Sequence, residues 1–369
     1  MVIVSDIPLT TVVGGAAFIA GAVFGATANR TNFCTMGAIS DAVFMGDYKR
    51  FRAWMLAVAI GIVASQGMVA AGMVDLGKSI YLGANIGWAG AVLGGLMFGF
   101  GMTMAGGCGN KTLVRIGGGN LKSVMVFMIV ALFAYMTLKG PIALARIQME
   151  GVTNISAASL GLASQSLPAV LAKLGLSAGM ARWLAVAAVA GGLVIWCFKD
   201  AEFRSSPQDM LGGVVIGLMV PAGWWITGVL GADDFEPTQL ASFTFVGPMG
   251  DGMQYLMTFT GSTINFGIAA AAGVIFGSFL VSAAGKSFHV EAFSDAGDML
   301  RHMFGAALMG TGGVLAMGCT IGQGLSGMST LSLTSVLALG SIIFGGVLGM
   351  KYLEEGSLGG AVKAVFARA

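Results

Sequence analysis

Long stretches without a charged residue dominate this sequence and limit how it can fold. Crossing the hydrocarbon layer of a membrane as a helix takes roughly 20 apolar residues. Charge-free stretches cover residues 7–29, 53–74, 79–110, 151–172, 210–232, 252–285 and 303–350, with shorter ones at 123–138 and 183–198. Most are long enough for one span and the longest for two, so they predict about nine transmembrane helices.

Composition points to the same class of protein. Charged residues make up 10% of the 369 residues, against roughly 25% in soluble domains, and hydrophobic residues make up 56%. Together with a mean hydropathy of +0.86, this excludes a water-soluble fold. A net charge of +2 supplies no basic stripe for phosphates, which excludes a nucleic-acid binder. Without the alternation of barrel strands, the chain is predicted to be an all-α polytopic membrane protein.

Charged residues between the spans predict the orientation of the chain. Loops 199–204 and 285–302 carry Lys and Arg, whereas segment 233–251 carries four acidic residues and no Lys or Arg. Cytoplasmic loops of membrane proteins are enriched in Lys and Arg. We therefore expect these two basic loops, and the basic run at 49–52, to be cytoplasmic and the acidic segment to be external.

The chain matches itself at a shift of 211 residues. Six residues are identical at this shift. The first copy has Gly94, Gly99, Gly101, Ala105, Gly107 and Cys108, and the second has Gly305, Gly310, Gly312, Ala316, Gly318 and Cys319. Asn32 and Phe33 match Asn265 and Phe266 at a second shift. We predict a single transmembrane domain, residues 1–369, with two pseudo-symmetric repeats at about 1–190 and 200–369. Such repeats are typical of transporters, whose substrate sites lie where half-helices meet.

Glycines interrupt two apolar stretches immediately before a cysteine. Gly106 and Gly107 precede Cys108, and Gly318 precedes Cys319. A helix break at membrane depth is tolerated only inside protein or beside a water-filled cavity. We therefore predict short re-entrant half-helices that begin at these cysteines. The free amides and the positive dipole end favour an anion there and activate a thiol, so an anion that contains sulfur suits both.

A third cysteine, Cys34, follows the end of the first span. Thr31 or Asn32 as a helix cap would put Cys34 in the first turn of a new helix. Basic residues also flank the motifs, namely Arg30, Lys111 and Arg115. A charge within the membrane is usually functional, but each of these lies near a span end, where snorkelling to the interface is the ordinary explanation.

Other interpretations of these residue types stay open. Cysteine is often a small buried hydrophobe, and we assign that role to Cys197, which follows no glycine break. The four cysteines fit neither a zinc site nor a disulfide framework. Methionine and cysteine suit Cu(I), but no Met series surrounds the three motifs, so we expect no metal and no cofactor. His289 and His302 are expected to be solvated in a polar loop.

Three segments together resemble the YeeE/YedE family of sulfur-transport membrane proteins. They are residues 30–37, residues 106–109 with 115–120 downstream, and residues 318–327. The resemblance implies thiosulfate uptake through a helical fold with pseudo-twofold repeats, in which Cys34, Cys108 and Cys319 pass the ion along a narrow path. It also implies a small cytosolic sulfurtransferase as a partner, and it leaves other sulfur or selenium species open as substrates.

We therefore expect a multi-pass permease of the bacterial inner membrane that takes up a sulfur-containing anion, with thiosulfate as the first candidate. Supporting residues around the three cysteines are expected to be Arg30, Asn32, Gly107, Gly109, Asn110, Lys111, Arg115, Gly318, Thr320 and Gln323. The alternative is a membrane sulfurtransferase that forms a cysteine persulfide and hands sulfur to a cytosolic acceptor. Such thiol chemistry needs a proton carrier, and no His or carboxylate adjoins the motifs in the sequence.

Overall fold

A computed structural model describes residues 8–233 and 238–366, and the acidic residues Asp234 and Glu236 of the predicted external segment lie outside the described residues. The described chain forms 17 α-helices and one antiparallel pair of short strands. The helices are α1 Leu9–Arg30, α2 Thr35–Ser40, α3 Lys49–Ala70, α4 Trp88–Met104, α5 Gly109–Gly117, α6 Leu121–Leu138, α7 Ile142–Thr153, α8 Leu167–Lys173, α9 Ala178–Val186, α10 Gly192–Phe198, α11 Ala201–Arg204, α12 Pro207–Trp225, α13 Val246–Met257, α14 Phe266–Ala284, α15 Ala296–Leu315, α16 Leu333–Glu355 and α17 Leu358–Phe366. The strands are β1 Asn85–Ile86 and β2 Ile155–Ser156.

Eight segments of the described chain are long and apolar enough to cross a membrane. They contain α1, α3, α4, α6, α9 with α10, α12, α14 and α16. A further long helix, α15, has 20 residues, carries Asp298, Arg301 and His302 near its start, and packs against α4 and α6. The predicted class of an all-α polytopic membrane protein is confirmed, with eight such segments in the described chain where about nine were expected.

The span expected at residues 151–172 is wrong. This stretch contains the end of α7, strand β2, a 3-10 turn at Ala158–Leu160 and the start of α8. It folds onto the start of α16, where the amide of Leu333 donates to the Gln165 carbonyl at 3.0 Å. Serine and glycine recur through it, and these residues form turns more readily than long helices. The lack of charged residues in this stretch therefore does not mean that it forms a transmembrane helix.

Glycines let α1 and α14 approach closely along their whole length. A Cβ atom at Gly21 would lie 2.2 Å from the carbonyl oxygen of Ala270, and one at Gly25 would lie 2.1 Å from that of Val274. Residues further along α1 contact residues further along α14, so the two helices run parallel. Small residues at four-residue spacing are the usual means of close helix packing in membranes.

Contacts between loops define one end of the bundle, which we call the basic end. The side chain of Gln208, at the start of α12, donates to the carbonyl of Arg30, at the end of α1. Arg52 pairs with Asp200 at 2.6 Å, which joins the start of α3 to the loop before α11. Because α14 runs parallel to α1, the loop after α14 lies at this end too. All three loops predicted to be cytoplasmic are therefore at the basic end.

Candidate functional site

Each of Cys34, Cys108 and Cys319 begins a short helix directly after a longer one has ended. Cys34 follows α1 and is the N-cap of α2, and Cys108 follows α4 and is the N-cap of α5. Cys319 follows α15 and precedes a helix at 320–329, whose middle part, Gly322–Gly327, is a π-helix. The three cysteines thus share one structural setting, at the amide-rich start of a helix.

The break before each cysteine has the same backbone conformation three times. The residue two places earlier is left-handed, with φ of 51° at Asn32, 70° at Gly106 and 55° at Met317. The following amide donates to a carbonyl five residues back, in the pairs Phe33 to Ala28 (3.1 Å), Gly107 to Met102 (2.9 Å) and Gly318 to Gly313 (2.7 Å). This closure satisfies the last carbonyls of the preceding helix, so a new helix can start at once.

Cysteine sulfur atoms cap two of the short helices. The Sγ atom of Cys34 accepts from the amide of Gly37 at 3.5 Å, and that of Cys319 accepts from the amide of Gly322 at 3.4 Å. The expectation that Thr31 or Asn32 would be the cap is wrong, because Thr31 follows the last residue of α1 and Cys34 itself is the cap. Cys34 therefore lies at the cap position itself, two or three positions before the place in the helix that the sequence predicted.

The three cysteines and Thr320 form one buried series, which we call the thiol row. Cys108 and Cys319 are fully buried, and Cys34 is 6% exposed. The side chains of Cys34 and Cys108 are close enough to interact, and the Cys108 thiol also lies against the hydroxyl of Thr320, the residue after Cys319. Cys34 follows α1 at the basic end, so the row runs from Cys319 through Cys108 to Cys34 toward that end.

Two residues of α5 join this helix to the turn before Cys34. The ammonium group of Lys111 donates to the Oδ1 atom of Asn32 at 2.5 Å, and the side-chain amide of Asn110 donates to the carbonyl of Phe33 at 3.5 Å. The Oδ1 atom of Asn110 is buried and has no hydrogen-bond partner among the described residues. Because buried polar atoms are normally paired, Asn110 leaves unused hydrogen-bonding capacity beside the thiol row.

Space favours glycine at two of the three predicted glycine positions. A Cβ atom at Gly107 would lie 3.2 Å from the Cβ of Lys111, and one at Gly318 would lie 3.0 Å from the amide nitrogen of Gln323. At Gly109 nothing comes nearer than 3.7 Å, which is ordinary van der Waals contact. Gly107 and Gly318 thus make room for the turns, whereas Gly109 does not.

Arg115 and Gln323 hold the helix breaks rather than touching the thiols. The guanidinium group of Arg115 donates to the carbonyl of Gly106 at 2.7 Å, and the side-chain amide of Gln323 donates to that of Ala316 at 2.5 Å. The Gln323 oxygen in turn accepts from the hydroxyl of Ser335 at 2.6 Å. These bonds fix the loops that precede Cys108 and Cys319, so we regard both side chains as positioning residues.

Comparison with known proteins decides the family. The sequence profile of the family described as Sulphur transport matches residues 30–348, a range that includes all three cysteine helices. The chain belongs to this family. The resemblance based on the three cysteine motifs is thereby confirmed, and with eight apolar segments in its described part the chain is a multi-pass membrane protein.

Two relatives in the sulphur transport family are named thiosulfate transporters. TsuA of Escherichia coli strain K12 is 28% identical over 319 residues, which are 83% of this chain and 85% of the relative. TsuA of Spirochaeta thermophila is 24% identical over 324 residues, which are 85% of this chain and 91% of the relative. Both matches extend over most of both chains, so the similarity is not confined to the cysteine motifs.

Arg50 is a second basic residue beside Cys34, in addition to Lys111, and the sequence motifs missed it. Its guanidinium group donates to the carbonyl of Asn32 at 3.1 Å, pairs with Asp41 at 2.9 Å, and lines a small cavity together with Cys34. The predicted neighbour, Arg30, is instead exposed, and its side chain makes no hydrogen bond or ion pair among the described residues. The basic run at 49–52 was a signal, but only the fold brings the start of α3 to this cysteine.

His302 is not solvated in a loop, as the sequence had led us to expect. It lies on α15, is 9% exposed, and has its Nδ1 atom 2.8 Å from the Asp298 carbonyl oxygen. Its Nε2 atom would be 3.3 Å from a Cβ atom at Gly106, beside a polar cavity of about 150 Å³ that Arg115 also lines. A histidine therefore adjoins the turn before α5 in space, although it is distant in sequence. His289 is exposed, as expected.

The repeat predicted from the two Gly-Cys motifs has matching local structure, whereas the Asn-Phe match does not. Asn265 is the N-cap of α14 and accepts from the amide of Ile268 at 2.9 Å. Asn32 instead takes the left-handed position after α1. The turns that share the backbone conformation of the turn at Asn32 are the turns before Cys108 and Cys319. The boundaries of the two repeats stay a prediction.

Cys197 lies away from the thiol row. It is fully buried on α10, and its S–H group donates to the carbonyl of Arg52 at 3.3 Å. It packs with Ala53, Leu56 and Phe203 in a small separate cluster. These contacts agree with the role of a buried hydrophobe that we assigned to it.

Proposed function

We propose that this protein is a permease of the bacterial inner membrane that takes up thiosulfate. The observation that carries the proposal is the buried contact series from Cys319 and Thr320 through Cys108 to Cys34, in which every thiol lies at the start of a helix. The names of the two TsuA relatives support thiosulfate as the sulfur anion. The basic end is the cytoplasmic end in this proposal.

Helix starts supply the favourable electrostatics that a divalent anion needs when it leaves water. Free amides and the helix dipole replace part of the lost hydration. The thiols add S–H donors that are weak individually but follow one another along the row. Weak sites in series suit conduction, because the ion must also leave each of them. Thr320 follows Cys319 in the chain and its hydroxyl lies against the Cys108 thiol, where it supplies a further donor.

Cationic side chains at the inner end of the row assist exit in this proposal. The ammonium group of Lys111 and the guanidinium group of Arg50 both lie on the turn at Asn32, next to Cys34. Their positive charges attract an anion that has passed Cys108, before it enters the cytoplasm. Arg30, exposed at the same end, contributes only to the general positive field.

Uptake by purified protein in proteoliposomes tests the proposal. Vesicles receive thiosulfate labelled separately at its outer and inner sulfur atoms, under an inside-positive potential that favours the dianion. A permease accumulates both labels at the same rate as intact thiosulfate. Vesicles without protein and vesicles with sulfate as the only anion are the controls. No uptake of either label above empty vesicles would refute the proposal.

The same labels distinguish the sulfurtransferase alternative. In that reaction a cysteine thiolate attacks the outer sulfur, the S–S bond breaks, and sulfite leaves with the bonding electron pair. The cysteine becomes a persulfide, so the outer label would stay on the protein and the inner label would appear as free sulfite. His302 next to Gly106 is a titratable group near this chemistry, which is why the alternative merits a direct test.

A small cytosolic sulfurtransferase is the partner we propose for the imported anion. It would dock at the basic end, where Cys34 and Arg50 lie. Crosslinking from a cysteine introduced at exposed Lys199, with Lys173→Cys at the opposite end as the control, tests this. Capture of the purified sulfurtransferase only from position 199 supports docking there, and equal or no capture contradicts it.

A further inference from the structure

A cavity of about 540 Å³ opens at the end of the bundle opposite the basic end. The start of α1, the end of α6 and the extended segment before α13 line it. Its hydrogen-bonding side chains include Tyr81, Thr244 and Asn265, and its charged ones are Lys139 and Asp251. An anion approaching the thiol row from this side meets neutral donors at the inner wall of the cavity.

Tyr81 is held rigidly in that wall. Its side chain is only 3% exposed, and its ring stands edge-on to Trp224 at a centroid distance of 6.3 Å. The indole N–H group of Trp224 donates to the hydroxyl of Ser329 at 3.0 Å, which fixes the partner ring. The Tyr81 hydroxyl itself makes no hydrogen bond within the described part of the chain. A buried phenol normally has a partner, so this donor is available to a ligand.

The hydroxyls of Tyr81 and Thr244 lie at the start of the helix that Cys319 begins. A Cβ atom at Gly322 would lie 3.4 Å from the Tyr81 hydroxyl and 2.5 Å from the Thr244 hydroxyl. The amide of Gly322 points to the Cys319 sulfur, and Tyr81 is near enough to Cys319 for the two groups to interact electrostatically. Two hydroxyls and one thiol therefore converge between the cavity and the thiol row.

We propose that Tyr81, Thr244 and Cys319 form an oxyanion subsite through which the anion enters the thiol row. The hydroxyls donate to the oxygen atoms of a divalent sulfur oxyanion, while its sulfur faces the Cys319 thiol. This inference rests on the proposed function, and it adds the residues that recognise the oxygen atoms. A site built to donate to substrate oxygens discriminates strongly against ligands that lack them, because its donors are then left unpaired.

Tyr81→Phe is the direct test, since it removes one hydroxyl and keeps the ring against Trp224. Charge-assisted hydrogen bonds are strong enough for its loss to raise the half-saturation concentration for thiosulfate about tenfold or more. The maximal uptake rate should change little. Thr244→Val should act in the same direction. Tyr255→Phe is the matched control, because this tyrosine lies on α13 against Phe259 and should leave uptake unchanged.

Thiocyanate, a sulfur anion without oxygen atoms, separates recognition from a structural effect. Its inhibition constant in the uptake assay should be the same for wild type and Tyr81→Phe, whereas that of sulfate should rise in the variant. If the variant lost rate for all anions equally, or kept the wild-type half-saturation concentration, the subsite would be wrong while the permease proposal stood.

Equilibrium dialysis with labelled thiosulfate keeps the two proposals distinguishable. If the wild type transported nothing, the permease proposal would fail. Weaker binding of thiosulfate to Tyr81→Phe than to wild type would still support the subsite. Equal binding to both proteins, with Tyr255→Phe also unchanged, would overturn the subsite independently of transport.

Discussion

Asn32 and Met317 share a left-handed backbone conformation, with φ of 51° and 55°, although their local sequences are unrelated. Each stands two residues before a cysteine that begins a helix, and Gly106 occupies the same place before Cys108. Asparagine and glycine tolerate this region, but a left-handed methionine costs roughly 1–2 kcal/mol. The surrounding structure therefore imposes the turn at Met317, which makes this conformation a property of the site.

Replacing Met317 with glycine should stabilise the protein. Because glycine adopts φ of 55° without strain, Met317→Gly should raise the free energy of unfolding by about 1 kcal/mol, less any contact that the half-buried side chain loses. Thermal unfolding in detergent measures this. Met309→Gly, in the helical interior of α15, is the control and should lower the unfolding temperature. A lower temperature for Met317→Gly would show that the turn is not strained.

Two glycines on α1 should differ sharply in their tolerance of alanine. Gly25→Ala places a Cβ 2.1 Å from the carbonyl oxygen of Val274, so α1 and α14 must separate, at a cost of about 1–3 kcal/mol or more. Gly15→Ala has no atom within 4 Å and should be neutral or slightly stabilising. Unfolding temperatures of the purified variants compare the two. Equal effects would contradict the parallel packing of these helices.

The four cysteines should separate into two groups by their effect on uptake. Cys34→Ala, Cys108→Ala and Cys319→Ala each interrupt the buried row and should abolish thiosulfate uptake. Cys197→Ala removes a hydrogen bond to the Arg52 carbonyl and part of the packing in a small separate cluster, which costs about 1 kcal/mol of stability or more and leaves uptake intact. Labelled uptake at matched expression measures this. Equal loss in all four variants would argue against a selective role for the row.

Acid should release the loop after α14 from the start of α6. Glu291 pairs with Lys122 at 3.1 Å and accepts from Asn120 at 2.5 Å, and the bond from Lys122 holds the pKa of Glu291 below its ordinary value of 4.5. A carboxyl with a lowered folded-state pKa stabilises the fold fully above its unfolded pKa. That stabilisation is lost as the pH falls through the folded-state pKa.

Hydrogen exchange of residues 285–295, corrected for intrinsic rates, measures this release. In the wild type, protection of the loop should decrease as the pH falls below about 4, and Glu291→Gln should show a similarly reduced protection already at pH 7. Glu150→Gln, which breaks the ion pair with Arg146 on α7, is the control and should leave the loop unchanged. Full protection of the loop in Glu291→Gln at pH 7 would contradict the prediction.

Helix starts at Cys108 and Cys319 could be predicted because local chemistry encodes them. An apolar stretch, a glycine and a cysteine lie in consecutive positions at both sites, and this order predicts the end of one helix and the start of another. The left-handed turn at Met317 itself is imposed by the surrounding structure. The same logic failed at residues 151–172, where absence of charge was mistaken for a span. Serine and glycine allow turns there, and contacts with the start of α16 stabilise them.

The sequence by itself determined the class of this protein, because a chain with so few charges can bury its surface only in lipid. It also determined where the half-helices begin, because glycine and cysteine act on their immediate neighbours. Only the tertiary structure decided which side chains surround the thiols. Arg50 and Tyr81 come from segments remote in sequence, and the packing of whole helices brings them to Cys34 and to the helix start at Cys319. The same packing brings His302 to the turn before Cys108, and no local sequence pattern records it.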